Sequence, residues 1–294
     1  MKRLKEKNTV AKDDAGLKVF PGGLGLRVGE ILNFEPHFAG SHVGEFSTVV
    51  TIFPLDRREV QNILPAGLEL GDPGGIVSQG QHPVLLFVGI QRCVRWHAVP
   101  AYYCPVLGMR YREAVVAVPY VRKRSAPGVA HHFSAVKLYL DKTLPIYLGW
   151  IGALPKQRGV FTKRRENYRV RTPAGALLLE LLTTETEIPD TPWEDQPDEV
   201  KERFQKVMPL LAQPHIGQYF SQVRNVPLLA EYACCEFQFE LDSVRLRPVA
   251  VQGSCSAHFC RALPRCFTRP GIDSEALGSF WMKANWRIKP PIPC

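Results

Sequence analysis

The run Arg112–Val121 constrains this chain more than any other stretch. Glu113 stands at its entry, and Ala114, Val115, Val116, Ala117 and Val118 follow without a polar residue before Pro119. An apolar run of that length, rich in β-branched residues and bounded by turn formers, reads as a buried strand. Pro83–Gln91 and Val136–Leu140 read the same way, and Phe46–Phe53 has the β-branched and aromatic content of a strand. Asp56, three residues before Glu59, is a capping pattern that predicts a short helix to about Leu64. Tyr168–Thr183 predicts a strand pair, and Pro197–Leu211 a helix with acids early and lysine later. Leu228–Leu241 and Pro248–His258 alternate like paired strands, and Phe280–Ile288 alternates as a closing strand. The sum is a β-dominated α+β chain without an internal repeat. Residues 1–40, basic and then Gly-rich, read as an extension that packs little, and residues 41–294 as one domain.

A 294-residue chain with 45% hydrophobic content can bury a full core. No run of about 18 apolar residues exists to cross a bilayer, and Met1–Lys7 lacks the apolar core of a secretory signal. A cytoplasmic protein with no membrane partner is the expectation. The eight cysteines form no Cys-x-x-Cys pair, and adjacent Cys234 and Cys235 would point to opposite faces of a strand, which suits reduced thiols. Cys255, His258, Cys260 and Cys266 lack the paired spacing of a structural zinc site, so they read as small residues of a late strand and its turn, with no metal. The net charge of +9 is spread along the chain, apart from the N-terminal tail and the groups Arg122–Arg124 and Lys163–Arg165. No nucleic-acid module accompanies it, so nucleic acid is not an expected partner, whereas an anionic small molecule would be attracted.

Lys156 follows the apolar segment Leu144–Leu154 and Pro155. By itself this is an ordinary solvated lysine flanking a buried run. A desolvated amine at the same place would be neutral, nucleophilic and able to form a Schiff base. The two glycines of Ile146–Leu154 weaken a helix there, so propensity alone does not assign one.

Taken together, Tyr111-Arg112-Glu113 with its apolar stretch and Pro119, then Tyr139-Leu140-Asp141, then Leu154-Pro155-Lys156, resemble in order and spacing the acetoacetate decarboxylase family. Leu64-Pro65-Ala66-Gly67-Leu68-Glu69, Leu228–Ser256 and Ser279–Pro290 extend the resemblance over about residues 45 to 290. It implies a closed, cone-like antiparallel barrel with a few short helices and a pocket inside. It also implies a helix over Ile146–Leu154 that leads to the Schiff-base lysine, Lys156. Glu113 would orient substrate or act as general acid, and Tyr111, Trp150, Leu154 and Arg158 would border the pocket. The implied activity is that of a carbon-carbon lyase: decarboxylation of a β-keto acid through the lysine imine, without cofactor, in a homo-oligomer.

Three departures stand out. The second lysine that many members carry is Gln157, with Arg158 next, so activation falls to desolvation or to Arg158. Gly149-Trp150-Ile151 replaces the family's Gly-Arg-Glu, and Val43-Gly44-Glu45-Phe46 has no arginine where the decarboxylases carry one for the substrate carboxylate. A larger, less polar substrate is therefore expected, such as a long-chain or polyketide-derived β-keto acid of secondary metabolism. Two other readings stay open: a Schiff-base aldolase-dehydratase or cyclase acting on an oxo acid, and a barrel that binds a small molecule without chemistry.

Overall fold

The computed structural model describes residues 17–18, 26–27, 41–126, 131–146, 154–164, 167–184, 191–218 and 232–293. In the first 40 positions only Leu17–Lys18 and Leu26–Arg27 are described, as a two-residue antiparallel pair. Thereafter the chain forms β1 (His42–Asp56), α1 (Arg57–Gln61), β2 (Leu68–Leu70), β3 (Gln81–Trp96), α2 (Cys104–Leu107), β4 (Met109–Lys123) and β5 (His132–Leu140). Next come β6 (Lys156–Arg158), β7 (Val160–Arg164), β8 (Asn167–Arg171), β9 (Leu177–Thr183), β10 (Thr191–Pro192), α3 (Asp198–Leu211), β11 (His215–Gln218) and β12 (Tyr232–Cys235). The last elements are β13 (Phe237–Pro248), β14 (Val251–Cys255), β15 (Cys266–Arg269), β16 (Phe280–Ile288) and β17 (Ile292–Pro293).

Strands dominate, as the sequence predicts, and they form two sheets. The larger follows the path β10-β13-β16-β1-β3-β4-β5-β11-β12-β17, with β2 against β4 and β6 against β5. The path is open as a hydrogen-bonded ladder and not the closed barrel expected; β12, next to one end, runs through Glu236 into β13, next to the other, and the Lys289 amide bond to the Glu236 carbonyl extends the β13–β16 pairing. Two contacts, β5 with β6 and β5 with β11, are parallel rather than antiparallel. The smaller sheet has the order β15-β14-β9-β8-β7.

The position of β4 explains its composition. Ala114, Val116 and Val118 face a cluster that includes Leu86 and Val88 of β3 and Leu179 and Leu181 of the smaller sheet. Val115 and Ala117 face the other way, toward Phe46, Leu85, Leu138 and Trp286. Both faces are buried, so alternation disappears, and each buried valine contributes about 1.5–3 kcal/mol. Asp56 caps α1 as expected, its Oδ1 accepting from the amides of Arg58 (2.8 Å) and Glu59 (3.1 Å).

Two more expectations change, and another falls mostly outside the described residues. Leu228–Leu241 and Pro248–His258 do not pair with each other: the described strand β13 ends at Pro248, and β14 crosses to the smaller sheet to pair with β9. Proline has no amide hydrogen to extend the ladder. Cys93 and Cys104 are disulfide-bonded, with Cα atoms 5.1 Å apart, so these two thiols are not reduced. Residues 143–146 are helical, but 147–153, most of the expected helix, lie outside the described residues; Lys156 itself opens strand β6. No described helix is long and apolar enough to cross a membrane.

One buried group makes stability depend on pH. His82 is fully buried between Arg57, whose Nη1 lies 3.5 Å from Nδ1, and the Pro119 carbonyl, 2.8 Å from Nε2. Because arginine only donates, Nδ1 accepts and Nε2 carries the hydrogen. Burial, helped by the Arg57 charge, pushes the His82 pKa down to about 4. The unfolded chain takes up a proton here below about pH 6.5, so this contribution to stability is complete above that pH and is lost as pH falls toward 4. Unfolding free energies from urea titrations between pH 4 and 7 should fall on acidification by up to about 1.4 kcal/mol per pH unit from this group. His82→Gln should flatten that slope; an unchanged slope would exclude His82 as its source.

Candidate active site

A cavity of about 360 Å³ lies inside the larger sheet, a size ordinary for a small-molecule site. Its wall is mostly apolar: Phe46 from β1, Leu85 and Phe87 from β3, Val115 and Ala117 from β4, Leu138 from β5, and Leu210 and Leu211 from α3 contribute. β13 and β16 add Phe237, Phe239 and Trp286. Its polar groups are His42, Gln91, Tyr111, Glu113, Lys156, His215 and Lys289, the last ion-paired to Glu236 at 2.6 Å.

Strand register brings the reactive groups together. Inward positions of β4 alternate as Tyr111, Glu113, Val115 and Ala117, and Gln91 of β3 stands opposite Tyr111. β6 lies parallel to β5 with Lys156 beside Leu138, so the lysine shares the inward face of Leu138 while Gln157 and Arg158 are exposed. The Lys156 amine is 5.8 Å from the centre of the Tyr111 ring. Its amine end is enclosed although the residue as a whole is only half-buried, because it begins a strand.

Electrostatics favour neutral forms. Burial lowers the Lys156 pKa, and the Glu113 carboxylate partly restores it. Burial raises the Glu113 pKa, opposed by a hydrogen bond from Gln91 and by the Lys156 charge. Burial therefore works against the charged form of both groups, while each charge favours the charged form of the other. His42 is also pushed toward its neutral form, first by burial and then by Lys156, which places it within electrostatic reach of the amine.

The structure thus gathers Lys156, Glu113, Tyr111 and Leu154 around one cavity. Arg158 is not part of it: its side chain is exposed, with Nη1 3.3 Å from Thr143 Oγ1, and burial is the leading cause of the lowered Lys156 pKa. Trp150 lies outside the described residues. Sequence reasoning missed His42, Gln91 and Trp286. Gln91 carried a signal, as the polar residue ending the apolar run of β3, but facing it toward Glu113 requires the register. Trp286 sits in an alternating strand whose inward face is not evident from spacing alone. Among the described residues no cluster of three histidine, cysteine or acidic side chains is arranged to hold a metal ion.

No known family model and no curated protein matches this sequence. Solved structures do match. An acetoacetate decarboxylase-like enzyme from Sphingomonas wittichii RW1 is 16% identical with a TM-score of 0.57, over 87% of this chain and 93% of its own. Acetoacetate decarboxylase from Legionella pneumophila is 12% identical with a TM-score of 0.52, over 86% of each chain. The enduracididine biosynthesis enzyme MppR, in complex with pyruvate, is 14% identical with a TM-score of 0.51, over 84% of this chain and 87% of its own. The strand-dominated architecture agrees with the expected fold class, and the chain has the acetoacetate decarboxylase-like fold.

Proposed function

We propose that this chain is a cofactor-independent carboxy-lyase that decarboxylates a β-keto acid through an imine on Lys156. The observation that carries the reading is an enclosed amine whose proton is disfavoured, in one apolar cavity with a carboxyl group whose proton is favoured. Neutral Lys156 adds to the β-ketone, and Glu113 protonates the departing hydroxyl, leaving an iminium. Electrons of the breaking carbon-carbon bond flow into that iminium as carbon dioxide leaves. Glu113, reprotonated from solvent, then protonates the enamine carbon, and water hydrolyses the new iminium to release ketone and amine. Each turnover takes up one proton and needs no metal or redox partner.

Substrates with a substantial apolar tail fit best. A wall built from Phe46, Phe87, Leu138 and Leu211 gains about 25 cal/mol for each Å² of apolar surface covered. Short, strongly polar acids gain little from it. A second reading is a Schiff-base aldolase-dehydratase acting on an oxo acid. Its support is MppR, whose structures hold pyruvate and the condensation product of pyruvate with imidazole 4-carboxaldehyde. Loss or retention of carbon dioxide separates the two.

Borohydride trapping with a panel of short and long β-keto acids, followed by peptide mass mapping, tests the imine. The expected adduct is on Lys156, with carbon dioxide released in untreated samples; adduct formation with the carboxylate retained would support the second reading, and no adduct across the panel would sink both. Lys156→Met should form no adduct and should melt a few degrees higher, because a buried amine is replaced by an apolar side chain. Glu113→Gln should cut turnover by about 10²–10⁴-fold while adduct formation persists. Since the Glu113 carboxylate raises the Lys156 pKa, the pH dependence of trapping in Glu113→Gln should move to lower pH; a move to higher pH would contradict the assigned coupling.

A further inference from the structure

Trp286, Gln91 and Glu113 form a chain of hydrogen bonds across three strands. The Trp286 indole nitrogen donates to Gln91 Oε1 at 2.6 Å, and Gln91 Nε2 donates to Glu113 Oε1 at 2.8 Å. All three residues are 6% exposed, so water does not compete freely with these bonds. We infer that Trp286 and Gln91 are positioning residues that hold Glu113 with Oε1 occupied and Oε2 as its proton-carrying atom, and that Gly44 provides the seat on which this relay is built.

Donor and acceptor identity carries the argument. An indole can only donate, so Gln91 must turn its oxygen toward Trp286; the reverse orientation would set N–H against N–H. The amide nitrogen then faces Glu113 and can only donate to it. Oε1 is thereby an acceptor in every state of the site, and Oε2 makes no hydrogen bond to a described residue. Gly44 fixes the start of the relay. It is the register partner of Trp286, and a Cβ there would lie 2.8 Å from Trp286 Cζ2 and 3.0 Å from Val94 Cγ2. On the other side of the indole Phe237 stacks at 5.9 Å between ring centres. The indole therefore occupies a slot one carbon atom deep enough and no deeper.

This inference rests on the proposed imine chemistry only in naming what Oε2 protonates. In Trp286→Phe, which keeps the ring and loses the donor, and in Gly44→Ala, which removes no hydrogen-bonding group, kcat should fall roughly tenfold to a hundredfold through misplacement of the acid. The borohydride adduct on Lys156 should still form in both. Gln91→Met removes the donor that favours the carboxylate, so the alkaline limb of its kcat profile should move to higher pH. Infrared titration of the Glu113 carboxyl band, assigned by difference against Glu113→Gln, reads the same shift without activity: the protonated band should persist to higher pH in Gln91→Met than in the parent. An unmoved band in folded Gln91→Met would overturn the relay even if the enzyme decarboxylates. A parent protein that forms no imine but shows the band shift would overturn the functional reading and leave the relay standing.

Discussion

Removal of water from Lys156 and Glu113 is the interaction on which the site depends. Either group alone in an apolar cavity would simply lose its charge at a cost to stability. In one cavity, burial works against both charges while each charge favours the other. The apolar wall that lines the cavity is also what keeps water from the two groups.

That wall exists because β4 is buried on both faces. One face meets the smaller sheet and the other meets the cavity, so the strand cannot bend toward either without leaving a void. Close packing of this kind holds Glu113 in place. Rigidity in the outer layer becomes precision in the inner one.

Much of this was legible in the chain. Arg112–Val121, Phe280–Ile288 and the Asp56 cap are short-range signals, set by side chains within a few residues of one another, and the structure reproduces them. The alternating segments around Pro248 misled because period two says that a strand exists but not which sheet receives it. Arg158 was placed by proximity to Lys156 in sequence, yet β6 turns it to solvent. Gln91 and Trp286 come together only through registers between β3, β4, β1 and β16, which no local pattern contains.

Lys156 reaches the cavity through a three-residue strand held parallel to β5 at Leu138, Tyr139 and Leu140. Strand faces alternate, so a slip of one position would exchange the two sides of β6. Gln157 would then face the cavity and the lysine would face solvent, with every bulk property of the protein preserved. The link between β5 and β6 therefore carries an arithmetic constraint on top of any conformational one: insertions or deletions that displace β6 by an odd number of residues would keep the sheets and turn Gln157, in place of Lys156, toward the cavity.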